Sequence, residues 1–207
     1  MPPRSYFEQS RPELIAQLPP GPLGRLLDVG CGAGGVGRAV RDRVDHLAGI
    51  ELDAEAGARA REVYDEVLTG RAEIVVDHLA GSFDTILAYD VLEHLAEPVE
   101  LLQRLHAVAA DGALLHVSVP NARHWSLVRD LVLRGTFGYT ESGHRDATHL
   151  RWLTPRDLRE LLESAGWHVE RSGHPPLSRL GRAAERLTRG LSAELLVYQW
   201  WALARAG

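Results

Sequence analysis

The chain contains no lysine, only one cysteine, and no apolar run approaching the roughly 20 residues of a membrane span. Each lack excludes something. Without lysine there is no Tyr-x-x-x-Lys pair, which counts against a nicotinamide-dependent oxidoreductase. Every one of the 23 basic residues is therefore an arginine, set against 28 acidic ones for a net charge of -5. That balance argues against the clustered basic face of a nucleic-acid binder, so no nucleic-acid partner is expected. A lone Cys31 rules out an internal disulfide and a multi-cysteine metal centre. Met1-Pro2-Pro3-Arg4 does not lead into a signal-peptide core, and a cytoplasmic protein without a membrane span is expected. With 207 residues and 45% apolar content, the chain fills one core, so residues 1–207 are read as a single domain.

What is present centres on Leu26-Leu27-Asp28-Val29-Gly30-Cys31-Gly32-Ala33-Gly34-Gly35-Val36-Gly37. A short apolar run, an acid, alternate glycines and a helix-compatible stretch predict a buried strand, a tight turn and a helix start. Glycine suits such a turn because the backbone must adopt angles costly for other residues and must approach a ligand closely. Free N–H groups of the following helix are expected to face that ligand. Gly30, Gly32 and Gly35 satisfy the G-x-G-x-x-G dinucleotide spacing, whereas Asp28 with Gly30, Gly32 and Gly34 satisfies D-x-G-x-G-x-G. Asp28 discriminates between them: an anion at the strand end sits badly beside a pyrophosphate and well beside an ammonium or sulfonium. S-adenosylmethionine (SAM) carries both cations. Cys31 reads as a small residue filling the turn, and with the rest of the loop it is counted among the cofactor-binding residues.

This loop, together with Gly49-Ile50-Glu51-Leu52-Asp53 one strand later, resembles the first two motifs of class I SAM-dependent methyltransferases. Ser82-Phe83-Asp84, Asp90-Val91-Leu92-Glu93-His94-Leu95 and Pro120-Asn121 extend the resemblance over most of the chain. Asp146-Ala147-Thr148-His149-Leu150-Arg151-Trp152-Leu153-Thr154 resembles the D-x-T-H-L-R-F-F-T signature of a narrower group associated with glycan and polysaccharide biosynthesis. The resemblance implies an α/β, Rossmann-like doubly wound fold. Its sheet would be seven-stranded and mostly parallel with an antiparallel last strand, with helices on both faces and a lid inserted after strand five. Residues 1–22 would form an N-terminal helix and cover, and 122–153 the substrate lid. An aromatic near the cofactor in that family makes Tyr6 a candidate. Where the family usually shows Gly-Asp after strand three, with the acid on the adenine amino group, this chain has Gly70-Arg71-Ala72-Glu73. Glu73, Asp77 or backbone alone would then meet the adenine.

Along the chain, a helix is expected over Pro12–Leu18, strand one over Arg25–Val29, helix one over Gly34–Arg43 and strand two over His46–Glu51. Glu51 lies about 20 positions beyond the loop, where a doubly wound fold places the acid that accepts from both ribose hydroxyls, and Leu52 follows it in the cofactor site. Strand three is expected over Glu66–Thr69, strand four over Phe83–Tyr89 and a helix over Glu97–Ala110, stopped by Asp111-Gly112. Strand five over Ala113–Val119 delivers Pro120-Asn121 to the ligand edge. A helix over Arg123–Gly135 and a polar, aromatic stretch to Arg151 form the lid. Thr154-Pro155-Arg156-Asp157 starts another helix by capping alone. Strand six is expected over Trp167–Arg171, a solvated arginine-bearing helix over Leu177–Gly190, and strand seven over Ala193–Ala204.

Transfer of a methyl group from a sulfonium needs alignment and exclusion of water, plus a base if the acceptor is a hydroxyl. His149, His94 and His124 are the candidate bases. Tyr89, Asp90 and His94 join Tyr6, Asp28, Gly30, Cys31, Gly32, Gly34, Glu51 and Leu52 as cofactor residues. Asn121, His124, Trp125, His144, Asp146, His149 and Arg151 are expected at the acceptor, where Trp125 and Trp152 offer faces for a sugar. His144-x-Asp146-x-x-His149 has a spacing that permits a metal without requiring one, and none is expected. The function expected is O-methylation of a small hydroxylated or sugar-containing acceptor, by a possible homodimer. The rivals are an NAD-dependent oxidoreductase and a non-catalytic SAM-binding partner protein like those associated with methionine biosynthesis, whose P-N-x-x-H-W and L-x-L-R-G stretches Pro120–Trp125 and Leu131–Gly135 echo.

Overall fold

A computed structural model describes residues 7–141, 143–177, 185, 187–188 and 193–207. Tyr6 and most of the arginine-bearing 177–190 stretch lie outside the described residues. Seven strands form one sheet in the order β3-β2-β1-β4-β5-β7-β6. They are β1 (Gly24–Val29), β2 (Val44–Glu51), β3 (Glu66–Thr69), β4 (Phe83–Tyr89), β5 (Ala109–Pro120), β6 (Trp167–Gly173) and β7 (Gln199–Ala206). The pairs among β1 to β5 are parallel, and β7 runs antiparallel to both β5 and β6. The expected doubly wound sheet with an antiparallel last strand is what the chain forms.

Alternation along the strands explains the two layers. Leu27, Ile86 and Leu115 face one apolar core, while their neighbours Leu26, Leu87 and Leu114 face another on the opposite side. Period-two geometry sends adjacent side chains to opposite faces, so strands apolar at nearly every position must be covered twice. Helices α5 (Pro98–Ala107) and α7 (Pro155–Ser164) cover the first face with Leu101, Leu102, Leu105, Leu158 and Leu162. The second face is closed by α1 (Pro12–Ile15) and α2 (Gly35–Val40) through Leu14, Val36 and Val40. Helix α7 starts where capping predicts: the Thr154 hydroxyl accepts from Asp157 N, and the Asp157 carboxylate accepts from Thr154 N at 2.9 Å.

Several boundaries differ from the sequence expectation, each for a local reason. The first helix stops at Ile15 rather than Leu18, and α2 at Val40, where a 3-10 turn over Arg41–Arg43 leads into β2. Asp111-Gly112 does not stop a helix. It sits inside β5, with Gly112 at φ +68°, where pairing with β4 skips from Phe83–Ala109 to Thr85–Leu114. Two glycine-compatible bulge residues thus look like a helix stop in sequence. The expected strand over Ala193–Ala204 begins late: Ala193–Leu196 is a short helix, α8, and the ladder starts only at Gln199 opposite Pro120. The Asn121 amide nitrogen donates to the carbonyls of Glu194 and Val197, each at 2.8 Å, which holds this stretch off the sheet.

Candidate functional site

The carboxyl ends of β1, β2 and β4 converge on the Gly30–Gly34 turn. Gly30, Gly32 and Gly34 have φ of +78°, +55° and +87°, which L side chains adopt only at a cost. Close approach matters as well: a Cβ on Gly32 would meet the Phe7 carbonyl oxygen at 2.6 Å, and one on Gly35 the Gln9 carbonyl oxygen at 2.4 Å. Phe7 to Gln9 therefore lie on the turn. The turn's own amides, ahead of the helix, are bonded within the protein. Gly30 N and Cys31 N donate to Ile50 O, Ala33 N to Phe7 O and Gly34 N to Cys31 O, while Gly32 N donates to Glu51 Oε2 at 2.8 Å. This turn is no amide cradle for a phosphate.

Glu51 ends β2 and is nearly enclosed. Its Oε1 accepts from Asp53 N at 2.9 Å, so each carboxylate oxygen is fixed by one backbone donor and retains a further lone pair. A vicinal diol such as a ribose presents two hydroxyl donors that match such a carboxylate. Leu52, next along, is exposed, and Asp53 caps α3 (Ala54–Ala60) by accepting from Ala56 N.

Asp28 points into the layer between sheet and α2. It is buried and accepts a short hydrogen bond from the Tyr64 hydroxyl. Burial pushes its carboxyl up to about 7, opposed by the Tyr64 bond and assisted by the nearby Glu51 charge. Tyr64 is not visible as a site residue in the sequence. Its trace is Gly37 and Gly49, where a Cβ would meet the Tyr64 ring at 2.4 and 2.9 Å. The Cys31 thiol also packs over Gly49, and burial raises its pKa, so Cys31 contributes backbone and packing rather than a reactive sulfur.

Three expected edge residues spend their polar groups inside the protein. The Tyr89 hydroxyl pairs with His116 Nδ1 at 2.7 Å. Asp90, at φ +54°, accepts from Arg11, from Gln199 and from the Ser118 hydroxyl, so its carboxylate ties the N-terminal segment and β7 to the end of β4. Asn121 is fully enclosed; besides its two donations it accepts from Arg123 N at 2.9 Å. Through these bonds the three side chains hold the edge in shape. Glu73 pairs with Arg71 and Asp77 with Arg104 of α5.

The connection from β5 to α7, which includes α6 (Trp125–Arg134), brings most of the expected acceptor residues together. The His124 and His144 rings stack at 4.6 Å, with Tyr198 3.9 Å from His144. The His94 and His149 rings meet edge-on at 4.8 Å. Burial lowers the pKa of His124 and His149, and that of His144 to about 4, so these three imidazoles are neutral at pH 7. The Asp146 carboxylate accepts from the Thr148 amide and hydroxyl at 2.8 and 2.7 Å, while its backbone carbonyl accepts from His149 N at 3.1 Å. Arg151 reaches outward to Ala96 O and Glu97, and Trp125 is half exposed beneath the Arg129 guanidinium. The Trp125 ring also lies 5.9 Å from that of His124, at the side of the histidine cluster. The backbone carbonyl of Glu93 accepts from Leu150 N and Arg151 N at 2.8 and 3.0 Å, which docks this connection on the strand-four edge.

A seven-stranded sheet in this order, with a glycine turn after β1 and an acid ending β2, defines a Rossmann-like methyltransferase fold. A family model described as a methyltransferase domain matches residues 4–172, and the chain belongs to that family. Among curated relatives, the Escherichia coli K12 tRNA 5-carboxymethoxyuridine methyltransferase is 29% identical over 174 residues, covering 78% of this chain and 66% of that protein. A ubiquinone biosynthesis O-methyltransferase of Aeromonas salmonicida is 25% identical over 166 residues, covering 74% and 68%. The chain thus spans about two thirds of the length of these relatives. An S-adenosylmethionine-dependent methyltransferase structure from Mesorhizobium loti superimposes with a TM-score of 0.67 at 19% identity, covering 94% of this chain and 96% of that one. The magnesium protoporphyrin IX methyltransferase of Synechocystis, solved with bound SAH, gives 0.64 at 17%, covering 99% and 83%.

Proposed function

We propose that this chain is a SAM-dependent methyltransferase that O-methylates a small hydroxylated or sugar-containing acceptor. The observation that carries the reading is Glu51, a buried carboxylate fixed by Gly32 N and Asp53 N beside a turn whose amides are already bonded. That arrangement favours a ribose diol and disfavours a pyrophosphate, so it counts against the dinucleotide alternative. Asp28 supplies the negative charge for the donor's cationic amino acid end, and the glycine turn lets the ligand lie against backbone.

In the transfer, an acceptor oxygen displaces the sulfonium: its lone pair forms the bond to the methyl carbon, and the breaking carbon–sulfur pair returns to sulfur. The acceptor proton passes to an imidazole, for which His149, His94 and His124 are the candidates. Residues 122–153 act as the lid that keeps water from this reaction within a single domain. The ubiquinone O-methyltransferase relative supports oxygen as the acceptor atom, and the glycan signature around Asp146–Thr154 supports a sugar. The outward Val128, Leu131, Val132 and Leu133 of α6 favour a second reading, a SAM-binding subunit that presents this helix to a partner.

The test is a thermal shift with SAM, S-adenosylhomocysteine and NADH, repeated on Glu51→Ala. Ligand at about 100 times its dissociation constant adds roughly 2.7 kcal/mol of stability. The expected result is stabilisation by the two adenosyl ligands alone, lost in Glu51→Ala; stabilisation by NADH alone overturns the reading. Acceptor screening with hydroxylated sugars, phenols and tRNA then tracks transferred radiolabelled methyl. SAM binding without turnover on any of them selects the partner-subunit reading.

A further inference from the structure

Glu93 is the polar group the methyl-transfer geometry leaves unexplained. It is 1% exposed, and neither carboxylate oxygen has a hydrogen-bond partner, although its backbone carbonyl is doubly bonded by amides. A buried carboxylate without partners costs several kcal/mol unless something compensates it. Beside it stand His94, on the same edge, and His149, on the β5–α7 connection. One donor atom from each of the three lies within 4.8 Å of the others, the one such group among the described residues.

Hydrogen bonds at Nδ1 fix the tautomer of both imidazoles. His94 Nδ1 lies 3.0 Å from the Thr148 hydroxyl and 3.3 Å from the Thr148 carbonyl, and that hydroxyl donates onward to Asp146 Oδ1. Because the hydroxyl proton is committed to Asp146, Thr148 Oγ1 accepts from His94, which places the His94 proton on Nδ1. His149 Nδ1 lies 3.4 Å from the His144 carbonyl, an acceptor, which fixes the same tautomer. Both rings therefore keep their lone pair on Nε2. Imidazoles that bind metals characteristically donate their other nitrogen to a carbonyl or carboxylate network in this way.

We infer that Glu93, His94 and His149 form a divalent-cation site at the sheet edge, with Asp146 and Thr148 as the groups that orient it. Two imidazoles and one carboxylate suit Zn2+ and its transition-series neighbours Co2+, Fe2+ and Mn2+, and leave coordination positions open for water or an acceptor oxygen. Donors about 2.1 Å from a tetrahedral metal lie roughly 3.4 Å apart, so side-chain rotations of about 1.5 Å close the set. Asp90 takes no part, since Arg11, Gln199 and Ser118 occupy its carboxylate. The cation joins the β5–α7 connection to the strand-four edge where Leu150 N and Arg151 N already dock, and it gives the D-x-T-H run a physical task. Its use in polarising an acceptor hydroxyl rests on the O-methylation reading, in which His124 is then the remaining base because His94 and His149 give their lone pairs to the cation; its binding does not.

Chelator-treated protein titrated with Co2+ should take up one equivalent and develop visible d–d absorption, which Zn2+ displaces. His149→Ala and Glu93→Gln should each weaken Co2+ binding at least 100-fold, and the positioning variant Thr148→Val about 10-fold. Circular dichroism and the thermal shift with SAM on the same samples report whether fold and cofactor site persist. Absence of stoichiometric Co2+ uptake by the native protein overturns the site, as does unchanged uptake by folded His149→Ala. If Glu93→Gln fails to fold, His149→Ala alone decides. If Co2+ binds and SAM does not, the cation site stands and the methyltransferase reading falls.

Discussion

Replacing Asp28 with asparagine should stabilise the ligand-free protein at neutral and alkaline pH while weakening its hold on SAM. Burial, the larger influence, raises the Asp28 carboxyl from 3.8 to about 7, with the Tyr64 hydroxyl working against it and Glu51 with it. At about 1.4 kcal/mol per decade, that displacement corresponds to about 4 kcal/mol. The sign comes from linkage: the folded-state pKa lies above the unfolded one, so the folded protein keeps this proton longer than the unfolded chain does. Stability from this group is complete below about pH 3.8, falls as pH rises, and is lost above about pH 7. Asparagine has the same shape, accepts the Tyr64 hydroxyl through Oδ1 and does not titrate. The stability difference between Asp28→Asn and native protein should therefore grow by up to about 4 kcal/mol from pH 4 to pH 8. Urea unfolding across that range measures it, and the histidine titrations common to both proteins cancel in the difference. In the same buffers, calorimetric SAM binding should be weaker in the variant, because the donor's cationic end has lost its counter-charge. A difference that stays flat with pH refutes the buried-carboxyl argument, and undiminished SAM affinity refutes the assignment of Asp28 to the donor.

Gly49→Ala should lower the melting temperature by the equivalent of about 1–3 kcal/mol, because its Cβ would lie 2.8 Å from Cys31 Sγ and 2.9 Å from Tyr64 Cδ1. A neutral outcome would mean that Tyr64 does not occupy that place. His116 is buried, and desolvation lowers its pKa from 6.5 to about 3, with the Arg171 charge adding to the effect. For a base with a depressed folded-state pKa, stability is full above about pH 6.5 and is lost as pH falls towards 3. His116→Gln should flatten that acid limb in urea titrations from pH 7 to pH 4, and an unchanged slope would contradict a neutral buried imidazole.

The features legible in the sequence are those fixed by neighbours in the chain. The glycine turn, the acid ending β2 and the Thr154–Asp157 cap each depend on a few consecutive residues, and each lies where spacing and capping chemistry put it. The features hidden from a sequence reading depend on distant partners. Tyr64 meets Asp28 across 36 positions, and Asn121 clamps carbonyls more than 70 positions away, which with the helix-forming Ala193–Leu196 delays β7 to Gln199. The Asp111-Gly112 pair misleads because a bulge and a helix stop demand the same residue types. Paired glycines such as Gly37 and Gly49 carry a usable signal: two absent side chains imply one large one between them, here Tyr64.

The polar groups at the sheet edge separate by how much of their bonding capacity the protein itself consumes. Asp90 and Asn121 are bonded to the N-terminal segment, β7 and the stretch before it, and Tyr89 to His116; all three hold the edge in shape. Glu51 is held by two amides yet retains acceptor capacity on both oxygens, and Glu93 is buried with no partner on either. Leaving a buried carboxylate unsatisfied is costly, so such a residue at a ligand edge marks where an external partner supplies the missing charge or donors. By that criterion the edge has two unfilled demands of different chemistry. At Glu51 the demand is for hydroxyl donors, the signature of a ribose; at Glu93, flanked by two imidazoles with lone pairs to give, it is for a cation.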